Sequence, residues 1–237
     1  MFIFVLVLFY LFRTEARFIV SVVMPLYNTA RYLNDSLNSL LNQSIGFYNN
    51  IQIILVNDGS TDNTESICLD YKQRFPNNII YIKQENAGTS VARNMGMPYA
   101  TGKYINFLDP DDKWEKDAFH YLLQFCDNHP DIDIVAGRMQ YFEGSTKFDQ
   151  LDYKFNKTRV VDLFKDYDHI HLSVTSTFFR RDTVLKYRFL PGLSYGEDTR
   201  LINEMFITNP RFGVVREALH MYRVRVDGSS AVQTAKS

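Results

Sequence analysis

Four short apolar runs in the first half of the chain each close in a cluster of polar residues. Residues 18–24 end at Pro25-Leu26-Tyr27-Asn28, and residues 51–56 at Asn57-Asp58-Gly59-Ser60-Thr61-Asp62. Residues 79–82 end near Gln84-Glu85-Asn86-Ala87-Gly88, and residues 104–108 at Asp109-Pro110-Asp111-Asp112. Apolar runs this short, rich in β-branched and aromatic residues and bounded by turn formers, read as buried strands. Helical spacing fills the gaps: Leu33, Leu37, Leu40 and Leu41 within 30–43, then Ile67 and Tyr71 within 64–74, then 90–100 before Gly102. Strand alternating with helix predicts an α/β fold with a parallel sheet and right-handed crossovers. The carboxyl ends of such strands share one rim, where ligands are expected.

The fourth run meets three carboxylates, Asp109, Asp111 and Asp112. Pro110 biases Asp109 to extended geometry and makes a sharp turn. Three acids at one strand end repel unless a positive group joins them, and a divalent cation with oxygen ligands is the simplest partner. The cluster therefore points to a metal-assisted site for a phosphate-bearing substrate. The competing reading is a solvated acidic turn before a helix opened by Trp114 and Lys116. Tyr27 is suited to stack on a base, and Asp58 to accept hydrogen bonds from a uracil or ribose. Gly59 and Gly88 allow tight turns or close backbone approach. Arg93 could contact a nucleotide or simply neutralise Asp109 or Asp111. Asp62 is equally a helix cap.

The 237 residues suffice for one large domain, or a domain with a small lobe, and 46% hydrophobic content supports a full core. A net charge of −1 supplies no global field for nucleic acid. Cys68 and Cys126 lie in helical patterns without a metal or disulfide spacing and read as buried thiols. Residues 1–12 are an unbroken apolar run, too short for a full membrane span and without a cleavage site. A surface anchor, a truncated membrane anchor and an element packed on the domain all remain open. Membrane association is preferred, because an exposed apolar run would otherwise invite aggregation. Arg13 and Arg17 would then place the domain on the cytoplasmic side. Beyond residues 134–139 the pattern loosens: 142–157 reads as loops or short antiparallel strands. Order returns at 174–179, in a helix over 198–207 and in a strand near 212–215. The expected organisation is a leader (1–17), a nucleotide-binding half (18–112) and an acceptor half (113–237).

Five motifs follow in order: Ser21-Val22-Val23-Met24-Pro25-Leu26-Tyr27-Asn28, Val56-Asn57-Asp58-Gly59-Ser60-Thr61-Asp62, Gly88-Thr89-Ser90-Val91-Ala92-Arg93-Asn94, Phe107-Leu108-Asp109-Pro110-Asp111-Asp112 and Tyr195-Gly196-Glu197-Asp198-Thr199. Together they resemble family 2 glycosyltransferases, inverting enzymes of the GT-A fold that use nucleotide-sugar donors. The resemblance runs from Phe18 to about Ser230. Its closing segment, from His220 to Ser230, is similar to bacterial members acting on capsule, teichoic acid or other surface glycans. The resemblance implies a Rossmann-like, mostly parallel sheet flanked by helices, with a smaller acceptor-side lobe. It implies that Pro25 and Tyr27 flank the nucleobase and that Asp58 reads it, with Gly88 and Arg93 nearby. Asp109 and Asp111 match the Asp-x-Asp motif, with Asp111 the main ligand of Mn²⁺ or Mg²⁺ and Asp109 between ribose and metal. Asp198, in the pair with Glu197, becomes the catalytic base. Arg223, Arg225 and Ser229 would close over the diphosphate, and His220 is a further candidate metal ligand.

These residue types suit sugar transfer. The leaving diphosphate needs its developing charge stabilised, by a cation at Asp111 and by side chains such as Arg223. The attacking hydroxyl needs one base, and a carboxylate at a helix start stays ionised. The expected donor is a UDP-sugar, and the acceptor a glycan, a teichoic-acid-like polymer or a lipid-linked sugar. The expected place is cytoplasmic, peripheral at the inner membrane face, with contact through residues 1–12. A nucleotidyltransferase would want a basic, Gly-rich loop early in the chain, and residues 24–28 contain neither Gly nor Lys. A lone acidic cluster without a repeat disfavours a calcium module. A sugar-nucleotide-binding scaffold, impaired or dependent on a partner, stays as the alternative because many relatives continue beyond this length.

Overall fold

A computed structural model describes residues 17–144, 147–148, 152–166, 173–193 and 196–225. Residues 1–12, Tyr195 and Ser229 lie outside them. Among the described residues nine strands form one sheet: β1 (Val20–Leu26), β2 (Ile51–Asp58), β3 (Ile79–Gln84), β4 (Tyr104–Phe107), β5 (Lys113–Trp114), β6 (Ile134–Glu143), β7 (Arg159–Asp162), β8 (Thr177–Arg180) and β9 (Arg211–Val224). The helices are α1 (Ala30–Leu41), α2 (Phe47–Asn50), α3 (Thr64–Arg74), α4 (Thr89–Gly96), α5 (Ala118–Asn128), α6 (Arg181–Val184) and α7 (Glu197–Thr208).

The sheet runs β3-β2-β1-β4-β8-β6-β9-β5, with β7 paired to β9. The β1–β4 pairings are all parallel, as the alternation of strand and helix predicts. Beyond β4 the sheet is mixed: β8 runs antiparallel to β4 and β6, and β9 runs parallel to β6 but antiparallel to β5 and β7. The period-2 alternation of β1 and β2 divides the core. Val20, Val22, Met24, Ile51, Ile53 and Leu55 pack with α1, α3 and α5 on one face, whereas Val23, Ile54 and Val56 meet Ala92, Leu201 and Met205 on the other. On that second face α4 lies very close to the sheet. A Cβ on Gly96 would sit 2.6 Å from Val23 Cγ1, so only glycine fits this approach.

Two expectations need correction. Trp114 does not open a helix: Lys113–Trp114 pairs with β9, and the helix starts at Ala118. The strand expected near 212–215 is fourteen residues long. A bulge explains the second difference, because Gly137 pairs Val215 while Arg138 pairs Leu219, so Arg216, Glu217 and Ala218 have no partner on β6. The charged, exposed Arg216-Glu217 pair breaks the apolar pattern there. Cys68 and Cys126 are buried free thiols, and burial raises both to about 12. Among the described residues no helix is long and apolar enough to cross a membrane.

Candidate active site

The parallel register brings the strand ends level: Leu26 lies beside Asn57, and Asp58 beside Gln84. The loops after them are tied together by side chains. Asp62 accepts from Ala30 N at 3.1 Å and Thr64 N at 3.0 Å, so one carboxylate caps the first turns of α1 and α3. Burial opposes its charge, but these bonds outweigh it and hold the carboxyl below its usual range. Asn28, at φ 52°, accepts from Thr61 N at 2.8 Å. Gly59 is also left-handed, at φ 74°. A Cβ there would lie 2.8 Å from Asn86 N, so this turn requires glycine.

Asp58 is buried and organises the neighbouring loop. Its Oδ1 accepts from Gln84 Nε2 at 2.7 Å and Ala87 N at 2.8 Å, and its Oδ2 from Gly88 N at 2.8 Å. A carboxylate has about four lone-pair positions, so roughly one remains for a ligand.

A cleft of about 350 Å³ opens along the rim. Pro25, Tyr27, Arg93, Asp109, Asp111, Glu197 and Arg225 line it, all named from the sequence, together with Thr29, Thr89, Pro110 and Tyr222. Tyr27 is half exposed and offers its ring to the cleft. Asp111 accepts from Arg225 Nε at 2.7 Å. Burial and the nearby Asp109 raise its carboxyl, with Arg225 opposing. Asp112 is fully buried and accepts from Arg223 N at 2.9 Å. Burial, Asp111 and Asp109 push it well above the usual range.

Arg93, on α4, is the convergence point. Its Nη1 reaches Asp198 Oδ1 at 2.8 Å and Glu197 Oε1 at 3.3 Å, and its Nη2 reaches Asp109 Oδ1 at 3.0 Å. Burial opposes its charge, yet Asp198, Asp109 and Glu197 hold its pKa above the ordinary value. Asp198 also accepts from Val174 N at 3.1 Å. Burial raises Asp198 to about 6, with Arg93 opposing and Glu197 and Asp109 adding to the rise. The pair starts α7 after Gly196, which is left-handed at φ 82°.

Two expected residues are placed elsewhere. His220 is wholly buried, edge-on to Trp114 and 3.6 Å from Asp112 Oδ2, so it stands behind the acidic turn rather than in the cleft. Arg223 is also buried: its guanidinium binds Glu143, Asp35 at 3.0 Å and the Asp111 carbonyl at 2.7 Å, so it braces the acidic loop from behind. Asp35 and Glu143 were not legible from sequence, because each meets Arg223 across a long stretch of chain. Thr89 and Tyr222 lay inside identified motifs, but nothing marked them within those motifs.

Among the described residues no three His, Cys, Asp or Glu side chains form a metal-holding group. The donor set at the rim is two carboxylates, Asp109 and Asp111, which share the cleft. That set suits a hard cation held jointly by one or two carboxylates and substrate phosphates rather than by an all-protein cage.

Known proteins resemble this chain in sequence and in fold. The model of the family described as glycosyl transferase family 2 matches residues 21–189. The minor teichoic acid biosynthesis protein GgaB of Bacillus subtilis is 47% identical over 218 residues, 92% of this chain and 24% of its own length. GgaA of the same organism is 36% identical, over 90% of this chain and 48% of its own length. This chain thus spans about a quarter and about half of those relatives. A crystal structure of S. aureus TarS 1–349 in complex with UDP superposes with a TM-score of 0.74 at 25% identity, covering 87% of this chain and 60% of that one.

Proposed function

The chain belongs to glycosyl transferase family 2, and on that premise we propose that its cleft transfers a sugar from a UDP-sugar to a hydroxyl of a cell-surface glycopolymer, with inversion. The observation that carries this reading is Arg93 joining the donor-side Asp109 to the Glu197–Asp198 pair beside one cleft. The likeness to a UDP complex favours uridine as the nucleotide, and the names of GgaB and GgaA favour a teichoic-acid-type acceptor. By the sequence of residues 1–12, the proposed place of work is the cytoplasmic face of the membrane.

In this reading Tyr27 stacks on the base beside Pro25, and Asp58 uses its remaining lone pair toward base or ribose while Gly88 lets the backbone approach. Asp109 and Asp111 would hold Mn²⁺ or Mg²⁺, and the cation would supply Lewis-acid stabilisation of the leaving diphosphate. Arg225, which lines the same cleft, would offer a cationic group to the diphosphate. Asp198 takes the proton of the acceptor hydroxyl as that oxygen attacks the anomeric carbon. A carboxylate raised to about 6 is a stronger base than an ordinary aspartate and is still mostly ionised at neutral pH. One displacement by one acceptor inverts the centre.

Calorimetry with UDP, GDP and CDP, each with Mn²⁺ and with EDTA, tests the donor site. UDP is expected to bind, and to need the cation. Asp111→Asn is expected to weaken that binding by at least the roughly 10–100-fold typical of lesser changes around a metal. Unchanged binding in Asp111→Asn would remove it as a ligand. Folded protein that binds no nucleotide would refute the reading. Nucleotide binding without turnover on any acceptor would favour the scaffold alternative.

A further inference from the structure

Arg93 has two possible employments in a nucleotide-sugar cleft: to touch the donor, or to arrange the groups that act on it. Three observations separate them. Its side chain is only 3% exposed, so little of the guanidinium faces the cleft. Both terminal nitrogens already bind carboxylates, Nη1 two and Nη2 one, so besides Nε only one Nη2 N–H is left for any other group. Its Nε is buried without a hydrogen-bond partner among the described residues. An arginine that leaves one donor unsatisfied in order to fork between carboxylates from two separate segments is held for that fork.

The surroundings hold it rigidly. Gly96 seats α4 hard against β1 and β2. The guanidinium carbon lies 5.2 Å from the centroid of the Phe189 ring. The neighbouring Asn94 pins the Phe189 backbone at both ends, donating from Nδ2 to Phe189 O at 2.7 Å and accepting from Phe189 N at 2.9 Å. The consecutive pair Arg93-Asn94 therefore does two linked jobs. Asn94 fixes the ring that Arg93 lies over, and Arg93 fixes the carboxylates.

We propose that Arg93 is a positioning residue that locks Asp198, the base, and Asp109, on the donor side, into one geometry, and that it makes little contact with the nucleotide itself. The proposal rests on the glycosyltransferase reading. Without the guanidinium, three carboxylates would face one another at close quarters and would separate or take up protons. A lysine retains the charge but presents a point rather than a fork, so it cannot serve two segments at once.

The test measures UDP affinity in the presence of Mn²⁺, turnover of UDP-N-acetylglucosamine and UDP-glucose (read as UDP release), and Tm, for wild type and Arg93→Lys. The expected result is a UDP Kd and donor KM within about threefold of wild type, a near-normal Tm, and kcat lower by about 100-fold, in the range lost when a base is mispositioned. A Kd raised tenfold or more with kcat retained would make Arg93 a donor contact and overturn the proposal. So would unchanged kcat and Kd together. Phe189→Leu covers the case in which Arg93→Lys does not fold. Losing the ring over the buried guanidinium should lower kcat by roughly 10- to 30-fold, the worth of a desolvated cation–π contact, with UDP affinity unchanged. A shifted affinity with unchanged kcat would overturn the proposal there too. If wild type binds no nucleotide, the glycosyltransferase reading falls and this inference falls with it. If wild type binds UDP and the variants show no split, only this inference falls.

Discussion

Strands β1, β2 and β4 are buried from end to end and join one another in parallel, whereas β9 threads fourteen residues past antiparallel and parallel neighbours with two exposed charges in its middle. The first arrangement lays its loops along one level rim. The segments on either side of β9 bring charged groups to that rim: the acids of α7 before it, and Arg225 just after it. The difference teaches where each kind of group comes from. A parallel sheet presents loops at one edge as a consequence of its topology. Acids and cations that must face those loops have to be delivered from outside it, and here they arrive from segments about a hundred residues later.

The comparison breaks most sharply at Asp198. Asp198→Asn removes the later half's contribution while leaving the rim intact. Transfer should fall roughly 10²–10⁴-fold with UDP binding retained, and near-normal turnover measured with any active acceptor would dismiss Asp198 as the base. Next is the seam between the two parts. Asn106 is buried on β4, donates to Thr175 O at 3.0 Å and Thr177 O at 2.9 Å, and accepts from Trp114 Nε1 at 3.2 Å. Asn106→Ala leaves those groups buried and unsatisfied, at about 3 kcal/mol. Thermal unfolding should drop by roughly 5–10 °C, and a shift under about 2 °C, below the range for a loss of that size, would mean that the seam does not depend on this side chain.

Asp62→Ala probes the rim alone. Losing a carboxylate that caps two helices should cost about 1–2 kcal/mol. Because its folded pKa is depressed, its stabilisation is present above the unfolded value near 4 and lost as pH falls through the lower folded value. The gap in Tm between wild type and variant should therefore narrow in acid, and a gap that widens would contradict the cap. The smallest effect is a pH profile. As the proposed base Asp198 would work ionised, and it is raised to about 6, so turnover should fall to about half as pH drops to that value, and the fall should continue below it. A profile that stays flat well below that value would place the base elsewhere.

Much of the first half could be read directly from the chain. Residues 64–74 were expected as a helix and form α3 with those bounds, because Asp62 precedes them and the apolar residues keep one spacing. The rim was legible because each strand ends abruptly in turn formers. The roles of buried charges were not. Asp58 and Arg223 carry the residue types of ligand-binding groups, yet their observed partners are Gly88 N and Asp35, tens and nearly two hundred residues away. Only the folded chain brings such groups together, and no local pattern encodes them. The same applies to His220, whose burial beside Trp114 comes from the pairing of β5 with β9.

The bulge on β9 also bears on what lengths of chain this architecture tolerates. Side chains alternate along a strand, so inserting or deleting one residue between Leu219 and Arg225 would turn Arg223 and Arg225 to the opposite faces and strip Asp111 and Asp35 of their cations. Residues 216–218 answer to no partner on β6, and a Cβ on Gly137 opposite them would lie 2.7 Å from Ala218 O. Within that triplet the exposed Arg216-Glu217 pair is where the strand can gain or lose a residue without reversing the faces of Leu219 to Arg225. Length variation among natural or engineered versions of this chain should therefore gather at the bulge, and the stretch after it should keep a constant count.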